Sequence, residues 1–175
     1  LNPISLYGRT KVEAEKIVMK FENSVCFRLA TVFGYSYRMR TDLLVNNFVF
    51  KSLKNKKLVL FEPHFRRNFI HVNDVVEGII FSINNFNRLK SNVYNLGLTS
   101  ANITKYKLAK KIKQKLKYLK IKIIKNRKDP DQRDYYVSNK KIEKKGFKAK
   151  TKIGDGIDEL IKVFSYSKEE IINNY

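Results

Sequence analysis

The run Ser24-Val25-Cys26-Phe27-Arg28-Leu29-Ala30-Thr31-Val32-Phe33-Gly34 constrains this chain more than any other stretch. It is short, dense in β-branched and aromatic residues, and stops at glycine. Such a run predicts a strand buried in a parallel sheet, fed by a crossover helix. An amphipathic helix does precede it, over about residues 7–21, with Val12, Ile17, Val18 and Phe21 as its apolar stripe. Pro3 stiffens the approach and Ser5 is the predicted N-cap. A second strand of the same kind, Asn92 to Gly97, also ends at glycine. Helices alternating with such strands predict an α/β fold, in which ligands gather at the carboxyl ends of the strands.

The remaining segments read in the same way. Residues 35–41 form a basic loop, and Asp42 caps a helix over about 43–53 with Leu44, Val45, Phe48 and Val49 inward. A strand at 58–61 turns through Glu62-Pro63-His64 into a second strand at 65–72. Asp74 is read as the cap of a helix reaching Asn84, His71 as structural, and His64 as a surface loop residue. Residues 100–104 cap a helix over about 105–118, striped by Leu108, Ile112, Leu116 and Leu119. Lysine alternating with apolar residues at 120–125 predicts an edge strand. Ser138 caps a short helix that stops at Gly146, and a last helix spans about 153–164 with Ile153, Ile157, Leu160, Ile161 and Phe164 on one face.

Within the first helix Tyr7 and Lys11 lie four residues apart, so they share one face about 6 Å apart along the axis. A cation beside a phenol favours the phenolate, and a tyrosine so placed can exchange a proton with a substrate hydroxyl. An ammonium can also donate to the vicinal hydroxyls of a ribose. His71 has no metal partners at ligand spacing.

The net charge is +21, from 37 basic and 16 acidic residues. That balance raises nucleic acid or another polyanion as a partner. The positives are mostly scattered lysines, however, and the densest run, 105–128, reads as a solvated face over an apolar stripe. A hydrophobic content of 43% excludes a disordered tail, and no apolar run approaches the ~20 residues of a membrane span. The one cysteine, Cys26, excludes an internal disulfide, suits a reducing cytoplasm and reads as core filler. The chain opens at Leu1 without methionine or a secretory leader, and is expected to be a piece of a longer protein.

The string "NPISLYGRTKVEAEK" resembles the active-site helix of the extended short-chain dehydrogenases/reductases, the NAD-dependent nucleotide-sugar epimerases and dehydratases. Three further blocks resemble that family in the same order: "FRLATVFG", "RRNFIHVNDVVEGI" with the strand "VYNLG", and "DPDQRDYYVSNKKIEKKGF". The resemblance implies that Tyr7 is the catalytic base, that Lys11 holds the nicotinamide ribose, and that Thr31 and Phe33 lie on the strand beside the nicotinamide. It implies that Asn46 or Asn47 meets the sugar nucleotide and that Arg67 and Arg133 grip its diphosphate. Guanidinium forks suit phosphate oxygens.

The implied fold is the C-terminal part of a Rossmann-like parallel sheet, residues 1–35 and 71–98, plus a small α/β substrate-binding lobe, residues 36–70 and 99–165, with a tail at 166–175. The implied partners are NAD, a nucleotide-diphosphate sugar and a second copy of the chain, in the cytoplasm. UDP-glucose 4-epimerase-like chemistry is the leading expectation, with dehydratase and reductase left open. Three departures from the pattern stand out: Tyr35 where proline often follows the glycine, Ser138 for an aspartate, and Lys145 for a leucine. The glycine loop G-x-x-G-x-x-G is not among these 175 residues and, with the Ser/Thr partner of Tyr7, is expected upstream. The competing expectation is a basic nucleic-acid- or anion-binding module that reuses a reductase fold.

Overall fold

The computed structural model describes Pro3, residues 5–124 and residues 134–166. In chain order the elements are α1 (Leu6–Val18), β1 (Val25–Leu29), β2 (Thr31–Phe33), α2 (Leu44–Asn55), β3 (Lys57–Phe61), β4 (Arg66–Arg67), β5 (Phe69–His71), α3 (Val72–Asn84) and α4 (Phe86–Leu89). Then follow β6 (Asn92–Leu96), a 3-10 turn (Thr99–Ala101), β7 (Ile103–Thr104), α5 (Lys105–Lys115), β8 (Lys120–Ile124), α6 (Lys140–Glu143) and α7 (Ile153–Tyr166).

Three strand pairs are parallel. β1 lies beside β6 with Val25 opposite Asn92, β2 beside β5 with Thr31 opposite Phe69, and β3 beside β8 with Leu58 opposite Ile121. β4 and β7 are antiparallel, Arg67 facing Ile103. The α/β class is therefore as expected, but the predicted strand 24–34 is two strands and 65–72 is also two. Their breaks share one cause. The Ala30 N–H still donates to the Leu96 carbonyl at 2.9 Å, whereas the Thr31 N–H turns to the Asn68 carbonyl at 3.0 Å and the Leu98 N–H to the Phe69 carbonyl at 2.9 Å. Residues 68–69 thus wedge between two strands that were neighbours a residue earlier. The fully buried Asn68 donates its amide to the Leu98 carbonyl at 2.8 Å. The glycine that ends β6 follows from this wedge: a Cβ on Gly97 would fall 1.8 Å from Asn68 Oδ1.

The core rests on three helices packed on one another, α2, α5 and α7. Val45, Val49, Leu108, Ile112, Ile157 and Leu160 are all completely buried there, each burial contributing about 1.5–3 kcal/mol. Periodicity had marked every one of them. Helix α1 differs, since it has no buried residue and ends at Val18, leaving Phe21 exposed beyond it. Helix α3 buries Asp74, Val75, Gly78 and Ser82 but exposes the stripe Val76, Ile79, Ile80 and Ile83 on its other side.

Two caps are as the sequence predicts: Ser5 Oγ accepts from the Gly8 N–H at 3.1 Å, and Thr104 Oγ1 from the Lys107 N–H at 3.1 Å. Three are not. Asp42 forks onto the Arg40 guanidinium at 2.7 and 2.6 Å and leaves Leu43 as an N-cap without a side-chain bond. The cap of α3 is His71, whose Nδ1 accepts from the Asn73 N–H at 3.3 Å. Asp74 is buried inside α3 and accepts the Lys150 and Thr151 N–H groups at 3.0 and 2.9 Å. At α6 the N-cap position belongs to the buried Asn139, not Ser138. Asp74 is drawn off by a contact distant in sequence, with residues 150 and 151, whereas Asp42 is drawn off by a neighbour two residues away. No helix among the described residues is long and apolar enough to cross a membrane.

Candidate functional site

The capped start of α1 aims the first two turns of that helix across β1, and an open groove of about 660 Å³ lies between them. Tyr7, Lys11, Val12, Glu15 and Val18 line it from the helix, and Val25, Phe27 and Leu29 from the strand. Tyr7 and Lys11 do share a face: the Lys11 ammonium is 5.5 Å from the centre of the Tyr7 ring. The Tyr7 side chain is 70% exposed, so nothing among the described residues walls it off. One turn further on, Glu15 takes a bidentate bond from the Arg28 guanidinium at 2.8 and 2.6 Å. That bond holds the Glu15 carboxyl below its ordinary range and ties α1 to β1. Cys26 lines the same groove, half-buried rather than core filler, and burial pushes its thiol upward.

The residues expected beside a cofactor on the next strand divide. Thr31 is half-buried at the start of β2. Phe33 is corrected: it is 1% exposed, its ring set edge-on against Phe69 and His71, so it belongs to the core and offers a ligand no surface. Asn46 is corrected as well. It is 2% exposed, its Oδ1 accepts from the Gly34 N–H at 3.1 Å, and its amide donates to the Arg40 and Gly34 carbonyls at 3.0 and 3.4 Å. With both N–H donors engaged and its oxygen accepting, it moulds the loop after β2. Asn47 is half-buried and donates to the Thr41 carbonyl at 3.0 Å.

That loop is held from a second side. The Tyr35 N–H donates to Glu159 Oε1 of α7 at 2.7 Å, and Glu159 Oε2 lies 2.9 Å from His71 Nε2. Since His71 Nδ1 accepts from the Asn73 amide, Nε2 is the protonated nitrogen facing the carboxylate. Gly34, at φ +115°, and Gly156 leave room for that imidazole: a Cβ on either would come within 2.4 Å of His71 Nε2 or Phe33 Cε2. Sequence reasoning found the structural histidine but not its partner 88 positions away.

Arg67 is 3% exposed, with its guanidinium 5.4 Å from the Tyr135 ring centre and Nη1 donating to the Arg66 carbonyl at 2.8 Å. Its neighbour Arg66 points outward and grips Asp134 through the backbone N–H at 2.7 Å and Nε at 3.2 Å. This lowers the Asp134 carboxyl from its ordinary range. Arg133, the other expected diphosphate ligand, lies outside the described residues. No group of His, Cys, Asp and Glu among the described residues could hold a metal ion.

What the arrangement offers is a phenol and an ammonium together at an open, half-apolar groove. Residues 1–97 match the profile of the NAD dependent epimerase/dehydratase family. The chain belongs to that family. It is 33% identical over 85 residues, 45% of this chain and 26% of the other, to YtcB of Bacillus subtilis (strain 168), described as an uncharacterised UDP-glucose epimerase. It superposes on UDP-glucose 4-epimerase of Thermus thermophilus, solved with NAD, at a TM-score of 0.79 and 19% identity, covering 95% of this chain and 56% of that one. UDP-glucuronic acid 4-epimerase of Bacillus cereus, solved as a variant with NAD and a fluorinated UDP-sugar, matches at 0.81 and 18%, covering 94% and 54%. At those identities the superpositions establish the Rossmann-like α/β fold. The family member described here spans little more than half the length of either solved epimerase.

Proposed function

We propose that this chain contributes the acid/base half of an NAD-dependent enzyme that epimerises or dehydrates a nucleotide-linked sugar, with UDP-glucose 4-epimerase-like chemistry. The observation that carries this reading is the Tyr7–Lys11 pair on an exposed helix face, opening on the α1–β1 groove. The donor set suits the cofactor: an ammonium with three donors and a phenolic hydroxyl fit a ribose and a reacting sugar hydroxyl, while Val12, Val25 and Phe27 give the groove an apolar wall. When bound, NAD supplies a hydride acceptor that later returns the hydride. Tyr7 takes the proton of the sugar hydroxyl as that carbon is oxidised and restores it on reduction. Lys11 favours the phenolate and fixes the ribose edge of the groove. Arg67, buried beside Tyr135, would add a permanent positive charge behind the diphosphate rather than a direct fork onto it, so that binding energy remote from the reacting carbon positions it. Residues 1–35 and 71–98 act as the cofactor side and residues 36–70 and 99–165 as the sugar lobe, and copies pair through α1.

The test has two arms. In the enzyme completed with a glycine-loop half, Tyr7→Phe and Lys11→Met each reduce turnover of UDP-glucose by about 10²–10⁴-fold with an unchanged circular dichroism spectrum. Wild-type turnover by Tyr7→Phe ends the proposal. The 175-residue chain by itself gives no stoichiometric heat with NAD in isothermal titration. Tight binding there would show that the phosphate loop is not needed.

A further inference from the structure

Residues 134–139 belong to no helix or strand, yet side chains lace them down at three points. Asp134 Oδ1 accepts the Arg66 N–H at 2.7 Å. The Val137 N–H donates to Asn102 Oδ1 at 2.9 Å, and the Val137 carbonyl accepts from the Asn102 amide at 3.0 Å. The Ser138 carbonyl accepts from the Asn95 amide at 3.0 Å. Along this strap Asp134, Tyr136 and Ser138 are exposed, Tyr135 and Val137 are half-buried, and Asn139 is buried.

Two successive arginines of β4 meet two successive residues of the strap, with opposite electrostatic results. Arg66 is exposed and set against the Asp134 carboxylate, so their charges cancel. Arg67 is 3% exposed, with the Tyr135 ring centre 5.4 Å from its guanidinium carbon. An aromatic face stabilises a cation through its quadrupole and leaves the net charge in place. A carboxylate at position 135 would cancel that charge. The bond from Arg67 Nη1 to the Arg66 carbonyl, at 2.8 Å, holds an edge of the same guanidinium. Held by edge and face, the cation stays buried, where solvent and salt screen it least and its pull on an anion is strongest. We propose that Tyr135 is a positioning residue for the diphosphate of a nucleotide ligand, acting through Arg67. This rests on the reading that Arg67 attracts that diphosphate.

UDP and uridine are titrated separately into the 175-residue chain and followed by NMR, each variant keeping the wild-type circular dichroism spectrum. The wild type prefers UDP. Tyr135→Leu lowers the affinity for UDP by about tenfold and leaves that for uridine as it was. Tyr135→Phe, which keeps the ring, binds UDP within about twofold of the wild type. Tyr136→Leu makes the same change at the exposed neighbour and alters neither affinity. Tyr135→Met, which also lacks an aromatic face, serves if the Leu variant does not fold. Wild-type UDP affinity in Tyr135→Leu overturns the proposal. So does an equal loss of UDP and uridine, which a merely structural role would give, or a matching loss in Tyr136→Leu. Arg67→Met separates the two levels. If it loses UDP and Tyr135→Leu does not, the positioning role alone fails. If Arg67→Met binds UDP like the wild type, or the wild type does not prefer UDP to uridine, the reading of Arg67 fails with it.

Discussion

Gly97 and Gly154 look alike in sequence, each just beyond or just inside a regular element, yet their surroundings differ in kind. A methyl at position 97 meets Asn68 Oδ1 at 1.8 Å, with Ala30 Cβ and Asn139 Oδ1 both at 3.0 Å. Asn68 cannot yield, because it is the wedge between the strands and is fully buried. At position 154, in the first turn of α7, the nearest atom is Lys115 Cε at 4.0 Å, the end of a flexible chain. Gly97→Ala is therefore expected to destabilise by about 2–4 kcal/mol, through overpacking and a broken buried hydrogen bond. Gly154→Ala is expected to stabilise by about 0.5–1 kcal/mol, by removing unfolded-state freedom. Urea unfolding of the two variants measures both, and a Gly97→Ala midpoint equal to that of the wild type would refute the wedge.

At the scale of elements, the helix that carries Tyr7 and Lys11 is held differently from the helices of the core. With nothing buried, α1 depends on the groove contacts and on the Arg28–Glu15 fork. Glu15 sits below its ordinary value of 4.5 when folded. The bridge therefore contributes in full above that value and is lost as pH falls through the lowered one. Arg28 is 40% exposed, so the contribution is about 0.5–1 kcal/mol. Hydrogen exchange is expected to find the α1 amides opening more readily than those of α2 and α5, and about two- to fivefold more so once the pH passes below the Glu15 titration. In Arg28→Met the acid step in α1 is expected to vanish. An α1 as protected as α5 would count against the picture. The same contrast explains what could be read in advance. Helices α2, α5 and α7 were legible because Val45, Val49, Leu108, Ile112, Ile157 and Leu160 repeat at helical spacing. The Tyr7–Lys11 face followed from a spacing of four. The strand breaks at Ala30 and Asn68 were not legible, nor were the tasks of Asn46, Asp74 and Glu159. Each answers to a backbone group or side chain brought near by the fold, across intervals that no local pattern spans.

For the molecule as a whole, two electrostatic effects oppose each other, and salt separates them. The ion pairs among the described residues, such as Arg40–Asp42, Arg66–Asp134 and Lys115–Asp158, are largely exposed. Each is worth about 0–1 kcal/mol, and salt weakens them. Against them stands the repulsion of a chain with net charge +21, compacted so that lysines such as Lys57 and Lys120 face each other across a strand pair. Repulsion destabilises the compact state more than the extended one, because folding shortens every distance. Raising sodium chloride from about 20 mM to about 500 mM shrinks the screening length from about 20 Å to about 4 Å, shorter than most spacings between like charges but comparable with an ion-pair contact. The repulsion therefore fades first and furthest. The melting temperature is expected to rise by about 3–8 °C across that range, corresponding to about 1–2 kcal/mol for a chain of this size. The variant with Lys57, Lys120 and Lys122 changed to Glu is expected to melt higher than the wild type at low salt and to gain less from added salt. Calorimetry in a non-binding buffer measures both, and a melting temperature that falls with salt would mean that the ion pairs, not the surplus of lysine, govern this fold.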